Sequence, residues 1–319
     1  MMDFHEFATT MQAHLEDGNF ADGLELLDKQ AAKFPSHVAQ MSLWRIALLT
    51  GVGETTAATE MLERALENGV WYSEKLLRNT APLNGLAGEE EFERLVAISV
   101  QMQLADPATA MPLIAVHAEG KCQSEGDPCP LLLFLHDNEE TPQEHLQHWR
   151  SVPTMGWLLA MPQSVQALWA GAYTWADTQI AQEQLELHYD NLSAGYQLDT
   201  ERLVIGGKGT GTGLALELVG KGTIPASGLV FYQPSGELVK QPARWEKHIA
   251  QAGKKGLRVV IIADDIIAKQ LDILTAYFDE HKLAYKVGTF PATEEAYPQG
   301  FENSLSNALD FLENPPDNS

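Results

Sequence analysis

Along the first hundred residues the apolar positions recur every three or four places. Phe4, Phe7, Met11 and Leu15 share one helical face, which Gly18 ends. Leu24, Leu27, Ala31 and Phe34 form the next stripe, stopped by Pro35. A third helix is predicted over 37–49, ending at Gly51-Val-Gly53. A fourth over 54–68 carries Ala57, Ala58, Met61, Leu62, Ala65 and Leu66 and stops at Asn68-Gly69. Trp71-Tyr72 and the spacing Leu83, Leu86, Phe92, Leu95 predict a closing helix pair. Past residue 110 the period changes. Short apolar runs near 113–117, 130–136, 157–161, 202–206, 228–232, 257–263 and 284–290 alternate with helical stretches. Strands alternating with helices predict a mainly parallel, doubly wound sheet covered on both faces. The chain therefore divides into an all-α domain at 1–105, a linker at 106–110 and an α/β domain at 111–319.

The 319 residues suffice for two cores. Lys and Arg number 21 against 44 Asp and Glu, a formal charge of -23. That surface repels phosphate backbones and anionic lipid, so nucleic-acid and membrane-surface binding are not expected. No apolar run approaches the ~20 residues of a spanning helix, and the N-terminus lacks the basic and apolar regions of a signal peptide. Cys122 and Cys129 flank a Glu-Gly-Asp-Pro turn. They could cross-link a hairpin and are too few for a zinc site. Without an export signal, two reduced thiols and a cytoplasmic protein are expected, with no metal and no cofactor.

The most informative stretch is Leu203-Val-Ile-Gly-Gly-Lys-Gly-Thr-Gly-Thr-Gly-Leu-Ala-Leu-Glu-Leu218, a strand, a glycine-crowded turn and a helix. Its frame Gly207-Lys208-Gly209-Thr210-Gly211 matches the G-x-S-x-G nucleophile elbow, with Gly209 where the Ser stands. Pro130-Leu-Leu-Leu-Phe-Leu-His136, Trp157-Leu-Leu-Ala-Met-Pro162, Tyr173-Thr-Trp175-Ala-Asp177, Leu198-Asp-Thr-Glu-Arg-Leu-Val-Ile-Gly-Gly207 and Glu295-Ala-Tyr-Pro298 follow in order. Together these segments resemble α/β-hydrolases of the phospholipase/carboxylesterase (acyl-protein thioesterase-like) group over residues 111–314. The short helix pairs of 1–105 resemble tetratricopeptide (TPR) repeats, although W-x-x-L-G-x-x-Y is absent.

The resemblance implies a nucleophile, a base, an acid and oxyanion donors. Gly209 supplies no nucleophile. Thr210 is one place along, where a backbone N–H normally donates to the oxyanion, and its side chain should point away from the cleft. Glu295 stands where the base His belongs. Asp264 or Asp265 lies near the acid position without fitting its spacing. His136 is expected to be structural, and Asp137-Asn138-Glu139-Glu140 replaces the glycines of the oxyanion stretch with charges that repel an oxyanion. Four features failing together predict lost catalysis. Glycine itself suits a strained elbow, because it has no Cβ to clash. The run Gly206–Gly213 fits neither mononucleotide motif, though a carboxylate could rest on the amides of Thr210–Thr212.

The expected function is thus binding or scaffolding by an inactive hydrolase-like domain fused to a helical module. The helices would take a protein or peptide. The vestigial cleft would take a small acyl or aromatic ligand, with Trp169, Tyr173, Trp175 and Lys208 as candidate lining. Two alternatives stand beside it: a serine hydrolase with an unorthodox nucleophile, Ser164 or Ser235, and a structural homodimer.

Overall fold

The computed structural model describes residues 2–110, 112–117, 122, 127–293 and 296–314. Its contacts separate two compact units. One comprises 1–110 with 167–172, the other 111–166 with 173–319.

The first unit holds six α-helices: α1 (Phe4–Glu16), α2 (Phe20–Gln30), α3 (Val38–Gly51), α4 (Thr55–Glu67), α5 (Glu74–Asn79) and α6 (Glu90–Ala105). Asp3 starts α1 by accepting the Glu6 amide at 2.8 Å while Glu6 reaches back to the Asp3 amide, a reciprocal cap. Phe7, Met11, Leu27, Trp44 and Leu48 bury one core, and Leu62, Trp71, Tyr72, Leu86 and Phe92 belong to a second. A Cβ on Gly23 would lie 2.7 Å from a Leu48 methyl, so a larger residue here would have to displace that side chain. The predicted linker is instead part of the unit. Pro107–Ala110 forms a 3-10 turn, and the Asp106 carboxylate accepts from the Trp71 indole at 2.9 Å. Residues 167–172 also belong here, outside the predicted boundaries, with the Ser73 amide donating to the Leu168 carbonyl at 2.8 Å.

The second unit is a seven-stranded sheet of order β1-β3-β2-β6-β7-β8-β9. Its strands are β1 (Leu113–Val116), β2 (Cys129–Leu135), β3 (Leu158–Pro162), β6 (Leu198–Gly209), β7 (Gly228–Pro234), β8 (Arg258–Asp264) and β9 (Ala284–Phe290). A hairpin, β4 (Gln166–Trp169) and β5 (Ala172–Thr174), lies between β3 and β6 in sequence. Within the seven-stranded sheet, among the described residues, β1 pairs antiparallel with β3 and the other pairings are parallel. The period of two explains why both faces are apolar. Leu131, Leu133, Leu229, Phe231, Val259 and Ile261 point into one core. Leu132, Phe134, Val230, Tyr232, Val260 and Ile262 point into the other. The first face is covered by α9 (Thr178–Gly195), α10 (Gly211–Lys221), α12 (Glu246–Lys254) and α14 (Asp272–Glu280). The second is covered by α7 (Pro142–Trp149), α8 (Ser151–Thr154) and α15 (Phe301–Glu313). The short α11 (Glu237–Lys240) and α13 (Asp265–Ala268) follow β7 and β8.

Cys122 and Cys129 are joined, with Cα atoms 5.1 Å apart, well inside disulfide range. The expected pair of thiols is therefore a disulfide, and the cysteines lend no support to a cytoplasmic location. Among the described residues no helix is long and apolar enough to cross a membrane.

Candidate functional site

Parallel strands end together, so the carboxyl ends of β2, β6, β7 and β8 bring their following loops to one place. Strand β6 runs into α10 through Thr210, with Gly209 at φ +53°. That left-handed turn costs an L-residue roughly 1–2 kcal/mol, a cost glycine avoids. The turn is tight on every side. A Cβ on Gly211 would meet the His136 carbonyl at 2.7 Å, and one on Gly207 would meet Thr212 N at 2.7 Å.

A Cβ on Gly209 would fall inside the carboxylate of Asp137. Asp137 Oδ1 accepts three hydrogen bonds, from the Thr210 amide at 2.8 Å, the Thr210 hydroxyl at 2.7 Å and the Asn138 amide at 2.8 Å. The amide after the elbow and an amide from the loop after β2 are the donors that an acyl-transfer site aims at its oxyanion. Here a carboxylate of the same chain receives both. Thr210 consequently faces the cleft, contrary to expectation, with its hydroxyl donating to Asp137 rather than to a base.

On the other side of the elbow lies a buried polar chain. Glu140 binds the ammonium of Lys208 and accepts from His145 Nε2 at 2.9 Å. His145 Nδ1 lies 3.0 Å from the Tyr297 hydroxyl, which accepts the Trp149 indole N–H at 3.0 Å. Burial alone would raise the Glu140 carboxyl, but the His145 hydrogen bond and the Lys208 charge outweigh it and hold the group at about 2. Lys208 is therefore a buried ion-pair partner and not cleft lining. His136 is fully buried. Its ring lies tilted against that of Trp175, with centroids 4.8 Å apart, and accepts from the Ser164 amide at 3.1 Å, and burial pushes it down to about 4.

Both aspartates accept backbone hydrogen bonds. Asp264 caps α13 by accepting the amides of Ile266 and Ile267, and exchanges two 2.9 Å hydrogen bonds with the Gln233 side chain. Asp265 accepts the Ala292 amide at 2.8 Å. Glu295 lies outside the described residues. Nearby, the Ala296 carbonyl accepts from the hydroxyl of Tyr232, whose ring stacks on Tyr297 at 4.6 Å.

Beside the elbow opens a cleft of about 310 Å³ lined by Asn138, Trp175, Thr178, Thr210, Leu214, Glu217, Ser235, Glu237, Leu238 and Trp245. Of the four candidate lining residues only Trp175 is there. Trp169 packs among the helices of the first unit and Tyr173 is buried. Ser164 is buried, donating to the Thr174 carbonyl at 2.6 Å, whereas Ser235 is half-buried and lines the cleft. Among the described residues no cluster of His, Cys, Asp and Glu could hold a metal.

The residues that sequence reasoning missed are His145, Tyr297, Gln233 and Trp245. One signal was available: a lysine inside Gly206-Gly-Lys-Gly209, on a buried strand, requires an acidic partner from another loop.

Comparisons with known proteins agree with this architecture. Residues 5–105 match the family model described as A/B hydrolase-like, N-terminal domain. Among solved structures, an uncharacterized protein from Bacillus cereus ATCC 10987 is similar over 98% of this chain and 99% of its own, at 20% identity and a TM-score of 0.54. Est1E from Butyrivibrio proteoclasticus covers 63% of this chain and 98% of its own, at 10% identity and a TM-score of 0.47. The Staphylococcus aureus fluorophosphonate-binding serine hydrolase FphF covers 63% of this chain and 92% of its own, at 14% identity and a TM-score of 0.47. No curated protein matches the sequence. At these identities the likeness is one of fold. The chain is a mostly parallel α/β unit preceded by a helical region.

Proposed function

We propose that this chain is a catalytically silent hydrolase-like protein that works by binding. A small molecule occupies the cleft against Trp175, and the helical unit, read as a TPR-like module, takes a protein or peptide. The observation that carries this reading is the Asp137 carboxylate, which fills the space of a nucleophile side chain and takes up both oxyanion donors. Acyl transfer then has neither an attacking atom at 209 nor N–H groups for the tetrahedral intermediate. The buried pairing of Lys208 with Glu140 is consistent with a turn that now serves as scaffold.

The test is turnover of short-chain p-nitrophenyl esters and thioesters, with fluorophosphonate labelling in parallel. Neither activity nor a labelled serine is expected. The second reading, a hydrolase with an unorthodox nucleophile, rests on Ser235, which lines the cleft. Labelling at Ser235, with turnover abolished by the reagent and by Ser235→Ala, would establish it and end the silent reading.

A further inference from the structure

Polarity at this elbow is the reverse of that in an acyl-transfer cleft. Such a cleft presents N–H donors to an oxygen that becomes negative. Here the amides of Thr210 and Asn138 are both taken by Asp137 Oδ1, and the Thr210 hydroxyl adds a third donor. The second carboxylate oxygen, Oδ2, accepts no hydrogen bond among the described residues and is not sealed in the interior. It stands where a side chain at 209 would point, beside the cleft, whose lining includes the two residues it bridges, Thr210 and Asn138, but not Asp137 itself.

The rest of the cleft has the same sense. Trp175 donates its indole N–H to the His136 carbonyl and Trp245 donates its own to the Gly213 carbonyl, so both rings offer the cleft carbon surface. The charged lining groups are two carboxylates, Glu217 and Glu237, whose cations Lys221 and Arg244 do not line it. The elbow's own cation, Lys208, is held by Glu140. An anionic ligand meets two lining carboxylates and no lining cation. An ammonium meets a charged acceptor and aromatic faces, both of which attract it.

We propose that the cleft binds ligands whose inner end is an ammonium group on an aromatic or aliphatic body, with Asp137 Oδ2 as the acceptor. This rests on the reading of the cleft as a binding site and names its ligand chemistry. Two probes of one shape and opposite charge test it: phenethylammonium and 3-phenylpropanoate, titrated calorimetrically into the full-length protein at low salt. The wild type should prefer the ammonium by roughly tenfold or more. Asp137→Asn, which keeps the shape, should lose roughly that factor for the ammonium. Asp137→Gly frees the Thr210 and Asn138 amides and should gain affinity for the carboxylate. Equal or better binding of the carboxylate by the wild type, binding of neither probe at millimolar concentration, or an unchanged ammonium affinity in Asp137→Asn would each overturn the proposal. If Asp137→Gly does not fold, the wild type and Asp137→Asn still decide. Ester turnover by the wild type would refute catalytic silence and leave the ammonium preference standing.

Discussion

The turn between β6 and α10 and the loop after β2 meet at one point, yet they are built in opposite ways. The turn keeps its shape and lacks a side chain, with Gly209 at φ +53° and Gly207 and Gly211 packed against backbone. The loop carries three carboxylates where the resembled group has glycines. Each is accommodated by the other. Asp137 fits because Gly209 has no Cβ, and Glu140 is tolerated in its buried place because Lys208 and His145 reach it. The glycine at one position and the carboxylates at the other thus form a single structural unit.

Breaking the charged half of this pairing should have the largest effect. Glu140→Ala leaves Lys208 buried without its partner, a change that typically costs about 3–5 kcal/mol. Urea unfolding should show that loss, and Glu140→Leu with Lys208→Met should recover much of it. A double variant no more stable than Glu140→Ala would mean that the pair is not the source of the effect.

Acid should act next, through His136. The folded protein holds this imidazole at about 4, against 6.5 for the exposed group. Between those values the unfolded chain binds the proton first. Stability is full above the unfolded value and falls as pH drops toward 4, by on the order of 2–3 kcal/mol for such a shift. Glu140, held at about 2, adds a second loss as pH falls from its usual 4.5 towards 2. Urea midpoints measured from pH 7 to 4 should fall less steeply in His136→Gln than in the wild type.

The glycine half predicts a coupling. Gly209→Ser must push Asp137 off its three donors and enter a left-handed conformation, for roughly 2 kcal/mol. Adding Asp137→Gly should return about half of that, a double-mutant interaction of roughly 1 kcal/mol. Strict additivity would show that the two residues do not compete for one space. The same collision gives a physical reason to expect no esterase activity from Gly209→Ser with Glu295→His. The smallest effect belongs to Thr210→Val, which removes one of the donors to Asp137 and should cost about 1 kcal/mol in thermal or chemical unfolding.

Much of the architecture was legible because it depends on local period. Runs such as Leu131–Leu135 alternate between two cores, and no polar residue interrupts them. The helix stripes of the first hundred residues correspond to α1 to α4 within a few residues. Two segments resisted for the same reason. Asp106–Ala110 reads as a linker in the sequence, but Trp71 donates to Asp106, and Trp169 reads as cleft lining, but 167–172 belong with the helices. Both depend on partners distant in sequence, which composition does not reveal.

The sequence by itself determined that position 209 carries no nucleophilic side chain, since its glycine is a covalent fact. It also determined that the loop at 136–140 carries charge and that strands alternate with helices from residue 113. Only the tertiary structure decided what those charges do. Asp137 was expected to repel an oxyanion, whereas the fold places its carboxylate on the oxyanion donors themselves. Glu140 was expected to do the same, whereas it turns to Lys208 and His145. The reason is distance: a side chain's sign is written at its own position, while its partners come from strands about seventy residues away, brought within 3 Å only when the sheet closes.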